Sequence, residues 1–246
     1  MATAGIAIIG DEILSGKFAD ENAAFLIGEL RSLGVDLKRI VVIPDEVDEI
    51  AATVTDLAAR FDHVFTSGGV GPTHDDVTIA GIARGFGVRV VREPELERRV
   101  RAYWGAKLAE PNLRLADVPE GCELVFGKDQ VWPVVAYRNV YILPGVPALF
   151  KRKFVDIRDR FRTDPVTTAR VYVDADEGQI AADLDLVVAA FPSVKLGSYP
   201  RFSERDFKIL LTLEGRVASD VAGALAQLVD RLGPRVVRRD EPALVG

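Results

Sequence analysis

A glycine-rich loop at residues 66–76 holds the residues of this sequence that are best suited to chemistry. It reads Thr-Ser-Gly-Gly-Val-Gly-Pro-Thr-His-Asp-Asp. Its three glycines, Gly68, Gly69 and Gly71, allow positive φ and let a ligand approach the main-chain amides closely. A helix that begins after the loop would direct unpaired N–H groups and a partial positive charge toward it. The pattern predicts a backbone site for a phosphate or similar anion, with a ligand-free strand-to-helix turn as the alternative.

Acidic residues follow this loop and the two strands that the pattern predicts before it. Asp75 and Asp76 end the loop, Asp11 and Glu12 follow the first strand, and Asp45 follows the second. Because ligands gather at the carboxyl ends of parallel strands, we expect these clusters to converge on one site. A phosphate among so many carboxylates calls for a divalent cation, and oxygen ligands suit magnesium or manganese. All of these acids except Asp75 are candidate ligands of that cation, and one of them could orient an attacking water.

Strands and helices alternate over the first two thirds of the chain and position these clusters. Short continuous apolar runs are typical of buried parallel strands, and the segments between them carry apolar residues at helical spacing. The predicted strands are 5–9, 37–43, 63–66, 131–137 and 140–143, and the predicted helices are 20–33, 47–61, 77–86, 93–108 and 148–161. This order predicts an α/β fold whose parallel sheet is covered by helices on both faces.

The pattern changes near Thr163-Asp164-Pro165, which predicts a domain boundary. The first domain is expected to span residues 1–164 and the second residues 165–246. In the second domain the predicted order is strand 169–173, helix 177–190, strands 194–199 and 207–213, helix 218–232 and strand 235–238. This βαββαβ order is that of a small ferredoxin-like α+β domain, and such a fold predicts no function by itself.

Composition argues against several classes of function. A net charge of −6 and a pI near 5.1 disfavour a general nucleic-acid-binding protein. One cysteine and two histidines are too few for a thiolate or histidine zinc site. No apolar stretch is long enough to cross a membrane and no basic segment precedes the first strand, so we expect a cytoplasmic protein. The loop also lacks the G-x-G-x-x-G spacing of dinucleotide folds and the lysine of the P-loop.

Three further residues have both a structural and a functional interpretation. Trp104 and Trp132 could stack on an aromatic ligand, although packing in a core or an interface is commoner for tryptophan. His74 lies within the loop and could contact a phosphate or be a solvated turn residue. The sequence does not decide between these alternatives.

Several separate segments of the chain resemble one known family. They are residues 10–16, 20–22, 42–45, 66–76, 118–124, 142–147 and 196–200. The glycine loop resembles the signature of MoaB/MogA-type molybdopterin-binding domains. The whole set resembles the N-terminal domain of the competence/damage-inducible protein CinA and of eukaryotic FAD synthases. The resemblance covers nearly the whole chain and implies an αβα molybdopterin-binding-like core.

The resemblance also implies roles for individual residues. It implies that Asp45 and Asp76 are catalytic residues and metal ligands, with Glu12 as a third catalytic residue and magnesium, manganese or cobalt as the cation. Together with the loop, it indicates the ligand-binding residues Gly10, Asp11, Asn22, Ser67, Gly68, Gly69, Gly71, Pro72, Thr73, Asp75, Pro144 and Gly145. A homo-oligomer, either a dimer or a trimer, is expected because such assemblies are common among similar proteins.

Three functions follow from this resemblance. Family members are associated with metal-dependent hydrolysis of the pyrophosphate bond in ADP-ribose or FAD, so a pyrophosphatase of this kind is the first hypothesis. A non-catalytic binder of a nucleotide or molybdopterin is the second. A molybdopterin adenylyltransferase, which would need only the first domain, is the third. Nicotinamide-mononucleotide deamidase and FAD synthase activities are not expected, because the chain ends after the βαββαβ unit.

Overall fold

The computed structural model describes residues 2–128, 132–201, 204 and 206–245. The chain divides into two compact units, Met1–Thr163 and Asp164–Gly246. Each unit has hydrophobic clusters of its own, so the two are described separately. Within the described residues, no helix is both long and apolar enough to span a membrane.

The first unit contains eight strands and six α-helices among its described residues. Its strands are β1 (Thr3–Ile9), β2 (Asp36–Ile43), β3 (His63–Ser67), β4 (Val90–Arg92), β5 (Asp117–Pro119), β6 (Glu123–Val125), β7 (Val134–Tyr137) and β8 (Val140–Leu143). Its α-helices are α1 (Asp11–Leu14), α2 (Asn22–Ser32), α3 (Val47–Arg60), α4 (Thr78–Phe86), α5 (Pro94–Trp104) and α6 (Pro147–Ile157). Short 3-10 segments lie at Gly105–Lys107, Glu110–Ala116 and Arg158–Phe161.

Six of these strands form the central sheet, in the order β2-β1-β3-β8-β7-β6. The first four in that order are parallel, whereas β7 is antiparallel to both of its neighbours. Successive side chains of β1 point to opposite faces. Ile6 and Ile8 pack with α2 and α6, and Ala7 and Ile9 pack with α3 and α4. This αβα arrangement confirms the predicted sheet with helices on both faces.

Local interactions explain two of the differences between predicted and observed element boundaries. Helix α2 begins at Asn22 because the carboxylate of Asp20 accepts the N–H groups of Asn22 and Ala23, each at 3.0 Å. Helix α5 ends at Trp104, before Gly105 with its φ of 51°. The strand predicted at 131–137 begins at Val134, and residue 131 lies outside the described residues. The sequence pattern does not predict α1, β4, β5 or β6, since elements of three or four residues show no recognisable period.

The second unit alternates strands and helices in a βαββαβ order. Its elements are β9 (Thr167–Val173), α7 (Glu177–Ala190), β10 (Lys195–Pro200), β11 (Ile209–Gly215), α8 (Ala218–Leu232) and β12 (Val236–Leu244). The sheet order is β10-β11-β9-β12, and every neighbouring pair is antiparallel. Apolar residues of β9 and β11 pack on both helices to form the core of this unit. The predicted ferredoxin-like order is confirmed, and the last strand runs six residues past its predicted end at 238.

Candidate functional site

Three elements hold the glycine loop at the carboxyl end of the central sheet. The N–H of Gly68 donates to the carbonyl of Leu143 in β8 at 3.2 Å. Thr78, at the start of α4, donates from Oγ1 to the carbonyl of Gly68 (2.9 Å) and from its N–H to that of Gly69 (3.0 Å). A Cβ atom on Gly68 would lie only 2.1 Å from the carbonyl oxygen of Ile9 in β1. The fold therefore requires glycine at this position.

The middle of the loop presents main-chain donors. In the part of the chain that the structure describes, the N–H groups of Gly69, Val70 and Gly71 donate to no protein acceptor. The φ angles of Gly68 and Gly69 are 107° and 62°. Successive N–H groups in turns that visit positive φ form concave anion sites. Backbone amides in this arrangement suit phosphate oxygens, and the anion site that the glycines predict stays a prediction.

Asn22 joins this loop to the turn that follows β8. Its side chain is 4% exposed, and its Nδ2 donates to Oγ of Ser67 (2.9 Å) and to the carbonyl of Gly145 (2.7 Å). A Cβ atom on Gly145 would lie 3.2 Å from Cα of Gly68, so the two backbones cross closely. Asn22 Oδ1 is buried and has no hydrogen-bond partner among the described residues. Four predicted ligand-binding residues thus meet, and Asn22 acts on the loop by positioning its backbone.

An acidic cleft opens beside the glycine loop. Its lining side chains are Asp11, Glu12, Ser15, Lys17, Phe18, Asp45 and Asp75. Asp45 links the cleft to the loop, because its Oδ2 accepts the N–H of Asp11 at 3.0 Å and its Oδ1 lies 3.3 Å from where a Cβ atom on Gly69 would be. Glu12 folds back over Gly10, where a Cβ atom would lie 2.7 Å from Glu12 Oε1. The cleft therefore brings together acids that follow three different strands.

The surroundings of Asp45 raise the pKa of its carboxyl group. Partial burial is the largest cause, and the charges of Glu12, Asp11 and Asp75 act in the same direction. The hydrogen bond from the N–H of Asp11 opposes them. Since Lys17 is the one basic side chain in the described lining, the cleft is a region of negative potential. Such a site favours a proton or a cation next to Asp45.

Asp76 has a different position from Asp45. Its Oδ2 accepts hydrogen bonds from the N–H (2.9 Å) and Oγ1 (2.5 Å) of Thr73, and a Cβ atom on Gly71 would lie 2.5 Å from it. Asp75, and not Asp76, is among the side chains that line the cleft. The structure therefore places Gly71, Pro72, Thr73 and Asp76 in the outer half of the loop. There the carboxylate of Asp76 shapes the turn.

The carboxylates of the cleft suit a hard cation in their chemistry, but they do not form a complete set of ligands. Among the described residues, no group of three or more His, Cys, Asp or Glu side chains is arranged to hold a metal ion. Magnesium is often bound by one or two carboxylates, with phosphate oxygens and water as the other ligands. A cation beside Asp45 would therefore need oxygens of the ligand to complete its coordination.

A second concave region, largely apolar, borders the glycine loop at Val70. It is a cavity of about 410 Å³. Its lining includes Trp104 of α5, Leu149 of α6, Trp132, and Pro144 in the turn after β8. Pro144, which the sequence predicts as a ligand-binding residue, thus lies at this cavity and not in the acidic cleft.

Thr78, Lys17 and Arg114 belong to this site and are not among the residues predicted from the sequence. A threonine at the start of the helix after a glycine loop is a signal that could have indicated Thr78. Arg114 donates to the carbonyl of Thr73 at 3.0 Å and so holds the outer half of the loop. No local pattern could have indicated Arg114, because 41 residues separate it from its partner.

Comparison with known proteins identifies the family that this fold and loop define. Residues 5–162 match the family described as a probable molybdopterin binding domain, and residues 165–241 match the middle domain of FAD synthase. The crystal structure of CinA from Thermoplasma acidophilum, described as a protein of unknown function, aligns with 65% of this chain and 98% of its own. Its TM-score is 0.59 and its sequence identity 29%. The chain belongs to the molybdopterin-binding domain family, as a CinA-like, MoaB/MogA-type member that resembles the N-terminal part of FAD synthases.

Two relatives show how far the similarity extends along the chain. A probable FAD synthase of Caenorhabditis elegans is 32% identical over 98% of this chain and 52% of its own length. A protein of Archaeoglobus fulgidus is 34% identical over 92% of this chain and 96% of its own length. The chain therefore spans about half the length of the FAD synthases that it matches.

Proposed function

We propose that the first unit binds the pyrophosphate of a dinucleotide such as FAD, or that of ADP-ribose, and hydrolyses it with the help of a divalent cation. The observation that carries this proposal is the junction at Asp45. There, the main-chain donors of the glycine loop meet a cleft lined by four carboxylates. The amides suit one phosphate of the pyrophosphate, and the acidic side suits a cation that neutralises the other.

The family relationship supports a nucleotide or pterin ligand and an enzymatic activity. The relatives include proteins described as FAD synthases, whose product contains two nucleotides joined by a pyrophosphate. The family itself is described by molybdopterin binding. Both kinds of ligand carry a phosphate next to a fused-ring heterocycle. The proposal of hydrolysis goes beyond these names and is based on the acids in the cleft.

In the proposed reaction, the oxygen of a water molecule attacks one phosphorus, the bond from that phosphorus to the bridging oxygen breaks, and two monophosphates leave. The attacking water gives its proton to Asp45, whose raised pKa makes it a better proton acceptor than an ordinary surface aspartate. The amides of Gly69, Val70 and Gly71 hold the phosphate oxygens in place. A divalent cation, held beside Asp45 by the other carboxylates of the cleft, would lower the negative charge around the phosphorus.

The test is a cleavage assay with purified protein, magnesium, manganese or cobalt, and FAD or ADP-ribose, with products separated by chromatography. We expect AMP among the products, and we expect EDTA to abolish its formation. Asp45→Asn should lower kcat at least about 100-fold, because it removes the proton acceptor. The matched control is Asp56→Asn, an exposed aspartate of α3 that pairs with Arg39 and Arg60 outside the cleft.

Other results would favour the two remaining hypotheses. Tight binding of FAD or ADP-ribose without any AMP would indicate a binding protein. Transfer of AMP from ATP to molybdopterin would indicate an adenylyltransferase. The first result would contradict the proposed hydrolysis, and the second would do so when FAD and ADP-ribose yield no AMP.

A further inference from the structure

The cavity beside Val70 contains a cluster of aromatic rings that the pyrophosphate chemistry does not use. Tyr103, Trp104 and Trp132 all line it. The ring centroids of Tyr103 and Trp104 are 4.3 Å apart with the planes inclined by 45°, and the Tyr103 and Trp132 rings meet edge to face at 6.3 Å. Neither tryptophan is fully buried. The aromatic rings therefore remain accessible to a ligand that enters the cavity.

The position of the cavity connects it to the anion site. Val70 lines the cavity, while its N–H is one of the amides that have no protein acceptor among the described residues. The preceding residue, Gly69, lies next to Asp45 of the acidic cleft. Pro144, on the turn that Asn22 ties to the loop through Gly145, lines the cavity as well. A ligand with its phosphate at the loop can thus extend into this cavity.

We propose that this cavity binds the planar fused-ring heterocycle of the dinucleotide whose phosphates lie at the glycine loop. This inference depends on the proposed function for the position of the phosphates, but not on their cleavage. A volume of about 410 Å³ lies within the range of small-molecule pockets, which are mainly apolar with a few polar groups. The polar groups here are Asp117, Arg152, Lys153 and Asp156.

Aromatic stacking explains why such a lining suits a heterocycle. Stacking on indole and phenol rings makes the binding free energy of a flat ring more favourable. Polar groups at the edge of a pocket can pair with ring nitrogens and carbonyls. A surface for a second copy of this chain is the other occupant to test. Tyr103 is 67% exposed, so it would be available to a bound heterocycle or to a second copy of the chain.

The chain provides a direct reporter of this cavity, because its only two tryptophans line it. The experiment titrates the whole protein, without added metal, with FAD, ADP-ribose, FMN, AMP and inorganic pyrophosphate while tryptophan fluorescence is recorded. We expect saturable quenching by FAD, quenching by ADP-ribose if the ring in the cavity is adenine, and none by pyrophosphate. Quenching by FMN but not AMP would assign the cavity to a flavin ring, and the reverse would assign it to adenine.

Matched substitutions separate ring contact from structural damage. Trp104→Ala and Trp132→Ala should each weaken dinucleotide binding about tenfold, since stacking on one aromatic side chain is lost. Trp104→Phe and Trp132→Phe keep an aromatic ring and should bind within about threefold of the parent protein. Affinities are measured by equilibrium dialysis, and thermal unfolding shows whether each variant is folded.

Three outcomes would overturn the inference. The first is dinucleotide binding in dialysis that leaves tryptophan fluorescence unchanged. The second is unaltered affinity in folded alanine variants, and the third is the loss of an oligomer in these variants while affinity is kept. Binding with quenching but no cleavage would contradict the proposed hydrolysis and leave this inference intact. Cleavage whose KM does not change in the alanine variants would contradict the inference alone.

Discussion

At the scale of single residues, Asp45 is the position where stability and the proposed chemistry oppose each other. Its burial and the neighbouring charges of Glu12, Asp11 and Asp75 disfavour the ionised carboxylate. The same surroundings would make that carboxylate a better proton acceptor, and their negative charge would attract a cation. Functional sites of this kind commonly lower the stability of the free protein.

The first prediction concerns the stability of Asp45→Asn. The folded-state pKa of Asp45 lies above its ordinary value of 3.8, so the folded protein binds more protons than the unfolded chain in that range. Ionisation of Asp45 therefore destabilises the fold as the pH rises through it. We expect Asp45→Asn to have a higher Tm than the parent protein at pH 7, with the difference shrinking as the pH falls toward 4. An increase in Tm that stays the same at every pH would show that the ionisation of Asp45 is not its cause.

The second prediction concerns Asn22. Asn22→Ala leaves Ser67 Oγ and the carbonyl of Gly145 without their donor, which should cost about 1–3 kcal/mol in the free energy of unfolding. It should also weaken dinucleotide binding, because the loop and the turn after β8 lose their link. Urea denaturation and dialysis measure the two effects.

Asn139 provides the matched control for this experiment. Its Nδ2 likewise donates to two carbonyls, those of Ala58 (3.0 Å) and Phe61 (2.8 Å). It lies in the turn between β7 and β8, at the other end of β8 from the glycine loop. Asn139→Ala should destabilise the protein to a similar extent without changing affinity. Equal effects on affinity in both variants would show that Asn22 has no special part in the site.

At the scale of elements, the glycine loop is stable because three separate elements contact it. Its backbone lies against Ile9 of β1, accepts from Thr78 of α4 and donates to Leu143 of β8. Neither the strand nor the helix on either side could hold Gly68 and Gly69 at positive φ alone. The loop is therefore a property of the assembled sheet edge.

The third prediction compares two glycines. Gly68→Ala places a Cβ atom against the carbonyl of Ile9 and should destabilise the protein by more than about 1 kcal/mol, with loss of ligand binding. Gly28→Ala, on the exposed side of α2 where nothing lies within 4 Å, should stabilise it by roughly 0.5–1 kcal/mol. Thermal and urea unfolding of both variants provide the measurement. A Gly68→Ala protein with unchanged stability would contradict the close approach to β1.

At the scale of the whole molecule, the site residues named above all lie in the first unit, Met1–Thr163. That unit has its own clusters on both faces of its sheet, and the second unit has a separate core. The fourth prediction is that a chain of residues 1–163 folds by itself and keeps the affinity for FAD or ADP-ribose. Circular dichroism, thermal unfolding and dialysis check this. A folded fragment without affinity would show that the second unit contributes to the site.

Much of the fold could be predicted from local patterns. The apolar runs and helical spacing located the longer strands and helices, and their order predicted the central sheet and the sheet of the second unit, but not the two-stranded sheet of β4 and β5. The positive φ of Gly68 and Gly69, and the nearness of Asp11, Glu12 and Asp45, follow from glycine chemistry and from the shared edge of parallel strands. These inferences succeed because they depend on neighbours in sequence or on a general rule of topology.

Tertiary packing sets the remaining features of the site. It directed Asp76 to Thr73 and placed Asp75 in the cleft, a distinction between adjacent acids that depends on the path of one turn. It also brought Trp104 and Trp132 to one cavity at Val70, and Arg114 to the loop. These contacts join residues far apart in the chain, so their formation depends on how the elements pack, and no local pattern of residues encodes that packing.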